Sequence, residues 1–571
     1  MVNKKKRSFK QKSFIFEDYP NTEYYFTKNE NKIIKVSITR TTFLFFSYFV
    51  LLFIFAIKIF YLSLFPEQKY FSHIVNKNFD KERRDIVDTN GRIIARNINV
   101  YKAGIRPKFI KNKDKFLINL RLQFPEIDEN IIKEKLKKDN FFYLEDRRLT
   151  EREKDRLWSL GLNNKALDLK KIQTRIYPQK NLFSHIIGQI DDDNSGISGL
   201  EKSFDEALRN SKKPLKLTVN RDIQFLIRKE LIKYQEIFRS KGAAALLMNI
   251  DSGNIISLVS LPDFDPNKRQ NITDVNFINR VTKGVYELGS VFKPFTFASG
   301  LNEKMIEPET QFLNLPKSIQ CDKFKIGEYS DDIPSDLTAE QILIRSGNVG
   351  SVKIAQKVGP ENLKLFLEKI GILDKIEFDI EEVGRPQTID WYQGCKLETV
   401  SYGQGITTTI LQLAKGYAII SNGGYDINPT LLSKSLKRGE RIIDKEVSDK
   451  VVKVLRKIVN TENGTAKLAN VNNYQIAGKT GTANQPAKGG YSRAKINTFA
   501  SIFPSSSPKY VFIVMLDTPK TSSSYIYNYR HKEGTQTGTP YNTAGWTSVE
   551  VAGKIIDKIG PILATKYLEV E

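Results

Sequence analysis

Three short clusters in this sequence could together move a proton and make a covalent bond. In Tyr286-Glu287-Leu288-Gly289-Ser290-Val291-Phe292-Lys293-Pro294 a hydroxyl and an amine stand three positions apart. If a helix begins at Ser290, Lys293 lies one turn on and on the same face, where a neutral amine can take the serine proton. Neutrality requires desolvation or a second cation nearby, since either lowers a lysine pKa. The spacing alone is weak, because Ser492 to Lys495 and Ser506 to Lys509 repeat it in polar, loop-like sequence. Order singles out the first copy: Ser346-Gly347-Asn348 follows it, and then Lys479-Thr480-Gly481-Thr482. Histidine chemistry has little support. His73, His185 and His531 are the only three, and none has the setting of a Ser-His-Asp hydrolase or an HExxH metalloprotease. No metal or organic cofactor is implied.

Positioning such residues needs a rigid frame. Near Gly242 the texture changes: 243–250 and 254–259 read as two buried strands joined by Asp251-Ser252-Gly253, a hairpin signature. A mostly helical middle follows, including 360–370 and 409–421. Strand patterns return at 498–503 and 510–516, ahead of a last amphipathic helix over 547–559. Strands at both ends of a helical insert predict an α/β sandwich whose antiparallel sheet is assembled from distant segments. Between 66 and 235 the sequence is charged and mixed, with helical stretches such as 129–138 and strand-like ones such as 93–105. It is expected to form an α+β spacer ahead of the domain at 236–571.

With 571 residues the chain is long enough for two or three domains. Its 40% hydrophobic and 11% aromatic content are those of a globular protein. The net charge of +24 suggests a polyanionic partner. Lys, Asn and Ile are abundant throughout, however, and no Arg-rich stripe with interleaved aromatics marks a groove reader, so nucleic acid is not expected as a partner. Two cysteines, Cys321 and Cys395, exclude a disulfide scaffold and an all-cysteine metal site. Whether they pair is left open.

The N-terminus settles the compartment. Residues 1–40 hold ten Lys or Arg against four acids, and the apolar run that follows is interrupted once, at Lys58. Residues 41–65 are therefore expected to be one membrane helix, with Lys58 snorkelling to the interface. A leader of forty residues with no small-residue cleavage box after Phe65 argues against a cleaved signal peptide. The positive-inside bias keeps the short basic tail cytoplasmic and sends the rest outside.

The three ordered clusters resemble the motifs of the penicillin-binding protein and serine β-lactamase superfamily. Arg84-Asp85-Ile86-Val87-Asp88-Thr89-Asn90-Gly91 resembles the box that opens the extracytoplasmic part of class B penicillin-binding proteins, with Asp85 where the family usually has Gly. Gly196-Ile197-Ser198-Gly199-Leu200-Glu201-Lys202-Ser203-Phe204-Asp205 is similar to their second pedestal box. The resemblance implies a β-lactamase-like α/β transpeptidase domain on a pedestal of the dimerisation-domain type. It implies Ser290 as the nucleophile and Lys293 as its general base, and Ser346 as the relay to the departing D-alanine amine. Asn348 would bond Lys293 and the substrate backbone. Lys479, on an edge strand, would face the donor's carboxylate with Thr480 and Thr482, and the N–H groups of Ser290 and Thr482 would form the oxyanion hole. Gly481 would let a peptide lie close along its strand. Taken alone, Asn348 reads equally as a helix cap.

Among relatives, the anchor and long pedestal argue against a small secreted β-lactamase, and no glycosyltransferase signature is present in 66–235. Ser346-Gly347-Asn348-Val349-Gly350, Tyr402-Gly403-Gln404-Gly405-Ile406 and Thr543-Ala544-Gly545-Trp546 resemble the division-specific FtsI type. An elongation-type class B enzyme is the alternative, followed by a D,D-carboxypeptidase or β-lactamase. The resemblance implies an enzyme that cross-links peptidoglycan stem peptides on lipid II-derived strands and binds β-lactams at the inner membrane. It also implies a SEDS-family glycosyltransferase of FtsW type and other divisome proteins as partners.

Overall fold

The computed structural model describes residues 30–64, 83–211, 213–268, 277–322, 324–433, 438–487, 490–529 and 533–568. Most of the basic tail, His73 and His531 lie outside the described residues. The chain divides into a unit ending at Lys81 and a compact unit from Glu82 onward. The first contains the helix Glu30–Leu64, in which Thr42–Tyr61 is long and apolar enough to cross a membrane, with a mean hydropathy of 2.5. At about 1.5 Å per residue, 20 residues span about 30 Å, the thickness of a bilayer's hydrocarbon.

The second unit opens with a five-stranded sheet built around Ile93–Ile105. This strand pairs with Phe142–Leu149, Leu167–Ile176 and Ile86–Val87, and the last pairs in parallel with Leu215–Lys216. Ile94 and Ala95, at its start, belong to the large hydrophobic cluster that continues into the following sheet. Ala103 and Ile105, at its end, belong to a separate cluster with Phe116, Leu120, Ile132 and Leu157 from three helices. One strand therefore ties two cores together. Arg83, just ahead of the first box, and Arg175, on the strand Leu167–Ile176, meet the second box in a buried ion cluster. Arg83 Nε donates to Glu201 at 2.6 Å, Arg175 Nε donates to the other Glu201 oxygen at 2.7 Å, and Arg83 reaches Asp205 at 2.7 Å. With Arg83, Arg175 and Glu201 all buried, removing Glu201 would take from Arg175 its carboxylate partner and leave Arg83 with Asp205. Asp85, the departure from the family pattern, takes Arg96 in an ion pair at the surface.

The second sheet has the order Ala477–Ala487, Gly490–Phe503, Tyr510–Asp517, Gly242–Asn249, Ile255–Leu261, antiparallel throughout. Its strands come from both ends of the domain, as the sequence patterns predict, and the hairpin at 251–253 is present. Every residue of Tyr510–Asp517 is buried, so both faces of the sheet are covered. Helices Arg221–Ile237 and Ser548–Leu568 pack together against it, as does Ile410–Ile419. Ile410–Ile419 starts from a capping box in which Thr409 accepts from Gln412 N–H and Gln412 returns the bond. Two elements outrun their sequence patterns. Gly490–Phe503 extends well before residue 498 because its first half pairs outside the core, where polar residues mask the alternation. The last helix runs through Pro561 to Leu568, held by burial of Ile559 and Leu563.

Candidate active site

Residues Lys293 to Leu301 are buried on every side of the helix Lys293–Asn302, which makes it the central element of the helical insert. Ahead of it, Gly289–Phe292 forms a 3-10 turn rather than the first turn of the predicted α-helix, with Gly289 at φ 63°. Burial of Leu288, Val291 and Phe292, and a 2.8 Å bond from the Tyr417 hydroxyl to the Val291 carbonyl, hold this turn. Ser290 is left on the wall of a cleft of about 1020 Å³.

Two other backbone segments press directly on the turn. A Cβ on Gly481 would stand 2.2 Å from the Leu288 carbonyl oxygen, and one on Gly403 would stand 2.0 Å from the Gly289 carbonyl oxygen. Gly481 is thus required by the Ser290 turn beneath it, independently of anything bound above its strand. Gly403, at φ 87°, brings the Tyr402-Gly403-Gln404-Gly405 cluster against the same turn. Tyr491 completes this wall by donating to the Glu287 carboxylate at 3.0 Å, and burial raises that carboxyl's pKa.

Lys293 is 1% exposed. Its Nζ donates to the Ser346 carbonyl at 2.5 Å, to Asn348 Oδ1 at 2.7 Å and to Ser346 Oγ at 3.2 Å. Burial pulls its pKa down to about 7, against the opposing charge of Glu328. Near neutrality a large share of this amine therefore carries a lone pair. Ser346 caps the helix Ala339–Arg345 in the left-handed region, at φ 59° and ψ 37°, unusual for a residue with a side chain. This turn aims its Oγ between two lysines, because Lys479 Nζ donates to it at 2.8 Å. Asn348 opens the helix Asn348–Val358 but does not cap it; its Nδ2 donates to the Gly327 carbonyl at 2.9 Å, which turns Oδ1 toward Lys293.

Lys479 lies on the edge strand Ala477–Ala487, as expected, but its side chain is fully buried and points at Ser346 from within the cleft floor. Burial, and then the nearby Lys293, hold its pKa well below the usual lysine range. The alternation of the strand puts Thr480 and Thr482 on the face that lines the cleft. Thr480 Oγ1 shares a 2.7 Å bond with Thr465 Oγ1, and Thr482 Oγ1 accepts from Ala544 N–H at 2.9 Å. The structure thus gathers all eight sequence-derived residues around one cleft. The repeated Ser-x-x-Lys spacings do not share in it as pairs. Ser492 and Lys495 lie on the strand Gly490–Phe503, where positions three apart face opposite ways. Ser506 and Lys509 sit at the turn before Tyr510, and Lys509 lies 3.7 Å from Asp251. Sequence reasoning missed Glu328 and Thr465. Thr465 follows Asn463-Gly464, a turn signal that could have marked it, whereas Glu328 sits in polar sequence with no motif of its own.

The penicillin binding protein transpeptidase domain matches residues 243–533, and the penicillin-binding protein dimerisation domain matches residues 80–235. This chain belongs to the penicillin-binding protein transpeptidase family. It is 27% identical over 500 residues to the probable peptidoglycan D,D-transpeptidase FtsI of Caulobacter vibrioides, covering 85% of this chain and 82% of that protein. It is 25% identical over 508 residues to the probable peptidoglycan D,D-transpeptidase PenA of Neisseria meningitidis, covering 82% and 84% respectively. The fold is that of penicillin binding protein 3 from Mycobacterium tuberculosis, with a TM-score of 0.62, 22% identity, and coverage of 84% of this chain and 96% of that one. The Cys321–Cys395 pair, open on sequence grounds, is a disulfide with Cα atoms 5.8 Å apart.

Proposed function

We propose that this protein is the septal peptidoglycan D,D-transpeptidase of its cell, working through an acyl-serine intermediate on Ser290. The observation that carries the reading is the hydrogen-bonded chain Lys293–Ser346–Lys479 beside Ser290, in a member of this family. Ser290 Oγ attacks the carbonyl carbon of the penultimate D-alanine while neutral Lys293 accepts its proton. The N–H groups of Ser290 and Thr482 hold the oxyanion. The C–N bond breaks, and the departing D-alanine amine takes a proton delivered through Ser346. An amine of a second stem peptide then attacks the ester, gives up a proton along the same chain, and releases Ser290. Thr480 and Thr482, on the cleft face, bind the donor's terminal carboxylate, with Lys479 beneath them. A β-lactam enters the first half of this sequence and stays on Ser290.

The chain divides into a cytoplasmic tail at 1–40, an anchor at 41–65, a pedestal at 66–235 and the transpeptidase domain at 236–571. The basic tail supports an inner-membrane orientation with the catalytic domain in the periplasm. Polymerisation of the strands comes from a SEDS-family glycosyltransferase of FtsW type, met together with other divisome proteins. Incubation of the full-length protein in detergent with benzylpenicillin, followed by peptide mass spectrometry, tests the chemistry. A single stable adduct on the Ser290 peptide, lost in Ser290→Ala, is expected. Persistent labelling of a folded Ser290→Ala protein would refute the assignment. Depletion giving filaments rather than round cells separates the septal from the elongation role.

A further inference from the structure

We infer that Glu328 is the positioning residue of the Ser346-x-Asn348 arm, and that the Cys321–Cys395 bridge holds the hairpin that presents it. This inference rests on Lys293 being the base that takes the Ser290 proton.

The helix Asn348–Val358 begins after Gly347, which has no side chain with which to cap it. Glu328 supplies the missing cap from another segment. Its Oε2 accepts from Asn348 N–H at 2.6 Å and its Oε1 from Val349 N–H at 2.9 Å. A carboxylate there is favoured by the two unpaired N–H groups and by the helix dipole together. The preceding residue, Gly327, fixes the side chain of the same asparagine by accepting from Asn348 Nδ2 at 2.9 Å. Residues 327 and 328 therefore grip both the backbone and the side chain of Asn348, whose Oδ1 accepts from Lys293.

Glu328 follows the hairpin made by Ser318–Cys321 and Phe324–Gly327. Outside the hairpin pairing, its backbone N–H donates to the Lys317 carbonyl at 3.1 Å. The disulfide ties the tip of this hairpin to Cys395, at the head of the helix Lys396–Ser401. That helix leads through Tyr402 to Gly403, which lies directly against the nucleophile turn, and its Ser401 carbonyl accepts from Thr296 in the central helix at 2.8 Å. The bridge thus links the two walls that flank Ser290.

The charged groups facing Lys293 are Lys479 from the edge strand and Glu328 from the hairpin. Next to Glu328 in sequence, the Tyr329 phenol feels Glu328, Arg345 and Asp332, and its hydroxyl donates to the Arg345 carbonyl at 2.9 Å. The negative charge of Glu328 opposes deprotonation of Lys293, so its removal favours the neutral base. A residue that served only as a helix cap would not move that equilibrium.

The test is the rate of acylation of the full-length protein by a fluorescent penicillin, measured from pH 5.5 to 9 in detergent. Glu328→Gln keeps one acceptor and loses the charge, and it is expected to move the acid limb of the profile to lower pH. Glu328→Ala loses cap and charge, and acylation is expected to fall by about 10- to 100-fold through misplacement of Asn348. Cys321→Ser with Cys395→Ser is expected to lower the rate in the same manner, and to add little when combined with Glu328→Ala. An unmoved acid limb in Glu328→Gln, or fully additive losses in the combined variant, overturns the inference. A wild-type protein that is never acylated would instead overturn the proposed function, and this inference with it.

Discussion

Replacing Gly481 by alanine should slow acylation of Ser290 by about 100-fold and lower the melting temperature of the free protein. The added Cβ would lie 2.2 Å from the Leu288 carbonyl oxygen and 2.9 Å from Val291 Cγ1. Favourable contact needs about 3.5 Å between carbons and only slightly less to oxygen, so the two segments must part by about 1 Å. Neither side yields easily. Gly481 is paired with Thr498 in the sheet, and Leu288 is fully buried one residue before Gly289. The displacement therefore passes to Ser290. A shift of about 1 Å in a reacting group costs about 100-fold in rate, or about 2.7 kcal/mol of barrier. Overpacking of this kind also destabilises by about 1–3 kcal/mol. Stopped-flow acylation with a fluorescent penicillin and a thermal melt of the same preparation measure both effects. Normal acylation with a normal melt would refute the packing argument. Slow acylation with an unchanged melt would move the constraint on Gly481 to the substrate side of the strand.

Two further outcomes follow from the buried charges. The acylation rate constant should fall about tenfold per pH unit below about 7, because burial holds Lys293 at about 7 and only its neutral form accepts a proton. A flat profile between pH 5.5 and 8 would remove Lys293 from the role of base. Because Lys479 shares Ser346 with it, the measured limb belongs to the pair. Glu201→Gln, which deprives Arg83 and Arg175 of their shared buried partner, should cost about 3–5 kcal/mol and appear as a marked drop in melting temperature. An unchanged melt would mean that this cluster contributes nothing to holding the second pedestal box against Arg83 and Arg175.

The sequence by itself determined the kinds of residue at the site and their order along the chain. Ser290, Lys293, Ser346, Asn348 and the Lys479–Thr482 run stand in motifs whose spacing is local, and local spacing is what periodicity can read. The hairpin at 251–253, the helix after Thr409 and an apolar helix whose stretch Thr42–Tyr61 is long enough to cross a membrane were legible for the same reason, since each is fixed by neighbours in sequence. Other properties depend on what distant segments bring near. Ser-x-x-Lys occurs three times, and only the copy that leads into a buried helix presents both groups to one site. The lowered pKa of Lys293 arises from burial by helices and strands scattered over some 200 residues of chain, and no local pattern carries that desolvation. The left-handed turn at Ser346, the cap that Glu328 lends to a helix twenty positions on, and the pairing of Cys321 with Cys395 across 74 residues are likewise decided by tertiary contacts. The ingredients are set by short-range sequence, whereas proximity and exclusion of water are collective properties of the folded chain, which is where the chemistry is made.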